Sequence, residues 1–341
     1  MKIAFYTDMH WSGNWPKRRK DNFTETVERK HKFIYKDAEY RGCDIVLNAG
    51  DINETPIVAN SIINRQLNIL REKSIEEFGI YGNHDVIGNN AEKAEQVSAS
   101  ILFSSGLMEK LSKDEPTVVT RGDINIMIYG IDVHKDMDNL RPEDYYVKKP
   151  DWIDFCILVA HGWLTDREIN IEGLKHTTFD SVLKTGTEAD IIYTGHYHPG
   201  HGTVKKFKEN GKPIFFHNPG SAVRIKASKG EMERQVGYSI TTLEKGEEPK
   251  IEFIPFPELI ARPAAEVLDR EALESDIAQQ EKIEFIEHKY SDILIKATSP
   301  REVIMEIAKE SKISEHSKQD LIRRIDEADQ ELENDKLSYE I

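Results

Sequence analysis

Asp8 and His10 form an Asp-x-His pair just after the apolar run KIAFYT, and Asp51 follows Gly50 after DIVLNA. Gly82 is followed by Asn83, His84 and Asp85; His161 stands between Ala160 and Gly162; His196 and His198 form a Gly-His-Tyr-His group. These aspartate, asparagine and histidine donors include no thiolate, so they suit Mn, Fe, Zn or Co rather than a structural cysteine-zinc site. Two such ions, roughly 3.5 to 4 Å apart, can lower the pKa of a water and neutralise the oxygens of a phosphorus centre. An imidazole with an ordinary pKa of about 6.5 can protonate a departing alkoxide, which a phosphodiester requires. Each motif alone is weak, because a single histidine near a strand end is usually structural. The conjunction in one order is what points to a dinuclear hydrolytic centre.

Such residues need strands to present them. Apolar runs at 2–7, 44–49, 78–81, 125–131, 155–160, 189–194, 213–217, 237–243 and 251–256 read as short strands. Helical stretches, notably 24–40 and 58–73, alternate with the first of them, which makes the chain α/β. Residues two apart at a strand end project to one side, which would place Asp8 and His10 together. Five strands then deliver polar residues at their C-terminal ends, where open α/β sheets carry their sites. The stripe Val58, Ile62, Ile63, Leu67 and Leu70 reads most simply as core.

The chain has 341 residues, of which 38% are hydrophobic and 31% charged, consistent with a large catalytic domain and a smaller appendage. Composition changes after Phe256, with Pro257 and Pro263 followed by polar helical stretches, so a boundary is expected at 256–262. No run approaches the roughly 20 apolar residues of a membrane span, and the start lacks a secretory signal, so a cytoplasmic, membrane-free protein is expected. Cys43 and Cys156 lie in strand-like runs and read as buried thiols rather than a disulfide. The net charge of -15 is unusual for a protein that grips nucleic acid, though bound cations can supply local positive charge. Lys17, Arg18, Arg19 and Lys20 form the one dense basic cluster.

The motif order D-x-H, G-D, G-N-H-D, A-H-G, G-H-x-H resembles the calcineurin-like metallophosphoesterase superfamily, from residue 8 to about 224. The resemblance implies a β-sandwich flanked by helices in α-β-β-α layers and two divalent ions, Mn first, with Mg, Fe or Zn as alternatives. It implies that Asp8, His10 and His198 bind one ion, that Asn83, His161 and His196 bind the other, and that Asp51 bridges them. His84 would act on the phosphate, with Asp85 orienting it. The protein phosphatases of that superfamily carry G-D-x-x-D-R-G and G-N-H-E, whereas this chain has Gly50-Asp51-Ile52-Asn53-Glu54-Thr55-Pro56 and Gly82-Asn83-His84-Asp85.

The segment Asn218-Pro219-Gly220-Ser221-Ala222-Val223-Arg224 looks like the SbcD family of DNA double-strand-break repair nucleases, which work with the SMC-type ATPase SbcC. That likeness implies a Mn-dependent DNA exo- or endonuclease, with DNA and an SbcC-like ATPase as partners. It also implies a homodimer formed through 58–73 and the helix after His84. Many members carry an aromatic and then His or Asp where Asn53 and Glu54 stand here. Domains are expected at 1–256 (catalytic), 257–312 (a small α+β cap) and 313–341 (helical, ATPase-docking). Val303, Ile304, Ile307, Ile313, Leu321, Ile322 and Ile325 are the candidate docking face. Trp15, Lys17, Arg18 and Arg19 could meet substrate by stacking and phosphate contact, joined by Ser221 and Arg224. Two other readings compete, a phosphodiesterase for small nucleotides and a catalytically silent scaffold for an ATPase.

Overall fold

The computed structural model describes residues 1–16, 18–139, 141–169 and 175–271, together with Ser317, Asp320, Arg323 and Arg324. In chain order the strands are β1 (Lys2–Tyr6), β2 (Ile45–Asn48), β3 (Glu76–Gly79), β4 (Glu109–Lys110), β5 (Thr117–Arg121), β6 (Ile124–Ile131) and β7 (Phe155–Ala160). They continue with β8 (Leu164–Thr165), β9 (Thr177–Thr178), β10 (Ile191–Thr194), β11 (Gly202–Phe207), β12 (Pro213–Asn218), β13 (Gly237–Thr242) and β14 (Lys250–Pro255). The helices are α1 (Phe23–Tyr40), α2 (Asn60–Glu72), α3 (Ala99–Ser104), α4 (Phe179–Lys184), α5 (Lys229–Glu233) and α6 (Ala264–Val267).

Two six-stranded sheets form, ordered β14-β13-β1-β2-β3-β4 and β11-β12-β10-β7-β6-β5. In the first, β1 to β4 are parallel, β13 runs against them and the edge strand β14 runs against β13; in the second, β6, β7, β10 and β12 are parallel between antiparallel edges. Strand alternation divides the apolar residues between two faces. Ile3, Phe5, Ile45 and Leu47 of the first sheet meet Ile126, Ile128, Ile157, Val159 and Tyr193 of the second in one inner core. Phe5 stacks on Tyr193 there at 4.3 Å between ring centroids. Ala4, Tyr6 and Val46 turn outward under Val27 and Ile34 of α1 and Ile62 and Leu70 of α2, while Phe216 turns outward under Phe179 of α4. The result is the expected α-β-β-α layering. Strands buried on both faces also explain why the sequence shows nearly continuous apolar runs there.

The antiparallel edges β5 and β11 escape that reading. In β11 the sequence GTVKKF has no residue in the buried class, so no apolar run marks it. Helix α1 starts at a side-chain cap, Asn22 accepting from the Glu25 amide, and buries Phe23, Val27, Ile34 and Ala38 at helical spacing. Behind β1, the Trp11 indole N–H donates to His31 Nδ1 (3.2 Å), so that nitrogen accepts and the neutral ring carries its proton on Nε2. The hydroxyls of Tyr6 and Tyr35 lie 2.9 and 2.7 Å from that Nε2 and donate onward to Glu77. His31 is thereby structural. Both cysteines are free thiols.

His217 is also structural, with its ring nitrogens 2.8 Å from the hydroxyls of Thr203 and Ser239. Burial, helped by the charge of His201, pushes its pKa down from 6.5 to about 3. The unfolded chain takes up this proton near the ordinary value and the folded chain only near the lowered one. The stabilisation is therefore complete above about pH 6.5 and drains away as the pH falls toward 3. Thermal midpoints measured from pH 8 to 4 should fall in that window, and His217→Gln, which can still bridge the two hydroxyls, should flatten the slope. An unchanged slope would contradict the assignment.

The first compact unit runs from Met1 to Arg270, beyond the boundary expected at 256–262. Residues after β14 still pack on it: the Lys20 amide donates to Val267 O (3.0 Å), the Asp269 amide to Arg18 O (2.8 Å) and Arg29 Nε to Ile260 O (3.2 Å). In the second unit, Glu271–Ile341, Arg323 and Arg324 both donate to Asp320. The expected cap and docking face, including Val303, Ile304, Ile307, Ile313, Leu321, Ile322 and Ile325, lie outside the described residues. Among the described residues no helix is long and apolar enough to cross a membrane.

Candidate metal centre

Five parallel strands, β1, β2 and β3 of one sheet and β7 and β10 of the other, end at a common edge, and the polar motifs follow their last residues. The turns that carry them are not extended. Asp8 (φ 55°), His10 (φ 48°), Asp51 (φ 50°) and His196 (φ 69°) adopt the left-handed conformation, four of the seven non-glycine residues that do so among those described. Each such residue is strained by on the order of 1–3 kcal/mol, and such strain concentrates at functional sites. Strand alternation therefore does not bring Asp8 and His10 together. A pair of left-handed residues does, held by amide bonds from Asp8 to Gly50 O (3.1 Å), His10 to Asp51 O (3.0 Å) and Trp11 to Ile52 O (2.8 Å). Gly82 is required by closeness: a Cβ there would overlap the Asp51 carboxylate and amide.

Around Asp51 the donors converge. Asp51 Oδ2 lies 3.3 Å from His161 Nε2 and 3.8 Å from His10 Nε2. On one side, His10 Nε2 and His198 Nε2 are 3.0 Å apart, with Asp8 Oδ1 at 3.9 and 3.6 Å from them. On the other, Asn83 Oδ1 lies 2.9 Å from His161 Nε2 and 2.8 Å from His196 Nδ1. Asp8, His10, Asp51 and His161 are buried, while Asn83, His84, His196 and His198 are half-buried and leave the cluster one open side. His161 Nδ1–H donates to Ala49 O (2.7 Å), so Nε2 is the nitrogen that faces Asp51 and Asn83, and once deprotonated it offers a lone pair on that side.

Asp51 Oδ2 is buried and faced from both sides by inward ring nitrogens, His161 Nε2 at 3.3 Å and His10 Nε2 at 3.8 Å. Placed between two groups of ring nitrogens and carboxylate or amide oxygens, it has the position of an oxygen shared by two cations. The residues present thus fit a dinuclear divalent site, with Asp8, His10, Asp51 and His198 in one group and Asp51, His161 and His196 in the other.

Without the ions, protons hold the charges. Burial disfavours charge on His161, but Asp51 overrides it and raises the imidazole to about 10. Asp51 is itself held well below the carboxylate range: burial opposes this, and His161 prevails. Burial, then the charge of His10, pushes His198 down to about 2, and burial, then His161, pushes His196 down to about 4. Divalent ions must displace the His161 proton to use its Nε2, so binding releases protons.

Residues 1–200 match the calcineurin-like phosphoesterase family. The chain belongs to that family. As a calcineurin-like phosphoesterase it is a metal-dependent hydrolase, and its buried His/Asp cluster fits the two-ion site typical of the family. Similar solved structures include a putative 5'-nucleotidase from Staphylococcus aureus (14% identity, TM-score 0.45, 75% of this chain and 54% of that one). A NAD nucleotidase from Haemophilus influenzae aligns at 15% identity and TM-score 0.44 over 75% of this chain and 49% of that one. A purple acid phosphatase from yellow lupin aligns at 14% identity and TM-score 0.46, over 75% and 51%. The chain spans about half the length of these three structures. No curated protein sequence matches it.

The phosphoesterase places the other expected site residues unevenly. Trp15 is 59% exposed and Arg18 half-buried, while Lys17 lies outside the described residues. Arg19 is buried, paired with Asp21 and donating to Arg224 O, so it presents no charge to a substrate. Ser221 is fully buried and Arg224 only 8% exposed, and their polar atoms are engaged with protein carbonyls. They build the ligand turn instead of facing substrate: Ser221 Oγ donates to Asp8 O (2.8 Å) and the Ser221 amide to His198 O (3.0 Å).

Asp85 does not orient the His84 ring. It is buried and accepts the amides of Ile52, Asn53 and Gly82, tying the Asp51 turn to the Asn83 turn. Burial, then the charge of Asp51, raises it to about 7. His84 instead hydrogen-bonds through Nδ1 to Glu54 O (2.8 Å), and its amide donates to Asp51 Oδ1 (2.8 Å). Glu54 and Arg234 were not expected here. Arg234 donates to Ser221 O and Val223 O and so holds the turn under Asp8 and His198; a lone arginine in a polar stretch gave no sign of this.

Proposed function

We propose that this chain is a Mn-dependent DNA nuclease that hydrolyses phosphodiester bonds, and the nuclease subunit of a complex with an SbcC-like SMC-type ATPase. The observation that carries the hydrolytic part is the place of the buried Asp51 Oδ2 between two groups of candidate ligand atoms. Asp8, His10, His198 and Asp51 would hold one ion, and Asn83, His161, His196 and Asp51 the other. When bound, the ions supply Lewis-acid activation of water and neutralise charge on the phosphate. The chain's own contribution is positional and protonic. A carbonyl only accepts, so His84 Nδ1 donates to Glu54 O, and Nε2, which bears a proton when the ring is doubly protonated, is the atom that would give one to the leaving oxygen and keep the lone pair. A diester with a poor alkoxide leaving group is the substrate that needs such a donor.

DNA as the substrate is supported by the likeness of the Asn218–Arg224 segment to the SbcD family and by exposed Trp15 in the loop that follows His10 in the sequence. The same likeness supports the ATPase partner and a homodimer through α2. The Mn-loaded protein should degrade linear duplex or single-stranded DNA at rates well above its turnover of bis-p-nitrophenyl phosphate or cyclic nucleotides. Turnover of the small esters alone would overturn DNA as the substrate while leaving the metal chemistry standing.

A further inference from the structure

We infer that Glu54 is the positioning residue of this centre, its carboxylate setting His10 and its main-chain carbonyl setting His84. The inference rests on the two-ion reading above.

His10 is fully buried, with Nε2 turned into the cluster and Nδ1 turned away, and Glu54 Oε2 lies 2.8 Å from that Nδ1. A carboxylate on the outer nitrogen of a ligand histidine keeps that nitrogen protonated, leaves the inner lone pair free, and increases its donor strength. The contact is built into the backbone. The Glu54 amide donates to Trp11 O (3.0 Å), immediately after His10, and Trp11 and Asn53 form a parallel bridge beside it. The carbonyl of the same residue accepts a hydrogen bond from His84 Nδ1–H at 2.8 Å. The two rings lie edge to face, with centroids 4.9 Å apart and planes at 86°. One residue thus sets which nitrogen of each ring faces the reaction. Its side chain is 31% exposed, so replacing it opens no hole in the core. Glu54 also lies close enough to His10 and His84 to make a third ligand group with them, and the test has to separate the two roles.

The full-length chain, stripped of metal, is titrated with MnCl2 by calorimetry as wild type, Glu54→Gln and Glu54→Asp, and each metal-free form is melted. Glu54→Gln keeps the shape and removes the charge. It should weaken one of the two Mn-binding steps about 10- to 100-fold, leave the other step and the metal-free melting midpoint unchanged, and keep two ions per chain. Glu54→Asp should recover part of the loss. Wild-type binding in both variants overturns the inference, as does a wild type that takes three ions and a Glu54→Gln variant that takes two, which would make Glu54 a ligand. A wild type that binds no Mn overturns the two-ion reading and the inference with it.

Discussion

Asp51→Asn leaves a folded protein that no longer holds a pair of ions and whose phosphodiesterase activity is lower by on the order of 10³-fold, about 4 kcal/mol of transition-state stabilisation. The substitution keeps the size of the side chain and one oxygen, so the bond from the His84 amide to Oδ1 can survive. What disappears is the negative charge on the atom that stands between the two donor groups. That charge matters even without metal, since it is what raises His161 to about 10 against its burial. In the variant, His161 becomes a buried imidazole with no carboxylate charge beside it. The measurement is metal content together with kcat/KM on the same sample. Two retained ions with near-normal turnover would remove Asp51 from the centre.

His84→Ala should do the opposite: both ions stay and turnover falls by roughly 10²- to 10⁴-fold, the range ascribed to one general acid. The contact to Asp51 is made by the His84 main-chain amide, which alanine keeps, and the ring Nδ1 is committed to Glu54 O. The deficit should depend on the leaving group. An ester that expels p-nitrophenolate needs little protonation and should suffer less than a dinucleotide that expels a sugar alkoxide. An equal loss on both would argue against proton donation, and loss of metal together with activity would make His84 a ligand.

The residues of the cluster stand out in the sequence because metal chemistry leaves few choices of residue, and because glycines mark the turns that carry them. The parallel strands stand out because burial on both faces makes them apolar without interruption. Where a feature lacked a local signature it was missed or misread. The edge strand β11, GTVKKF, has no buried residue and only two separated apolar ones, and so carries no strand-like apolar run. Strand alternation would bring Asp8 and His10 to one side, but two left-handed residues do so instead, and φ near +50° is not written in an aspartate or a histidine. Arg19 suggests a phosphate contact because it sits in a basic cluster, and Ser221 and Arg224 because their segment resembles the SbcD family, yet their partners are carbonyls and an aspartate that only tertiary structure brings close. Glu54 follows the same rule in reverse: its importance lies in a 2.8 Å approach to His10 from 44 residues further along the chain.

The central claim is that this cluster binds two divalent ions that share Asp51. Equilibrium dialysis of the full-length chain against Mn, followed by elemental analysis, tests it directly. About two ions per folded wild-type chain and close to none in Asp51→Asn is the result expected for a shared bridging donor. A wild type that saturates at one ion or none, or an Asp51→Asn variant that still holds two, would contradict it.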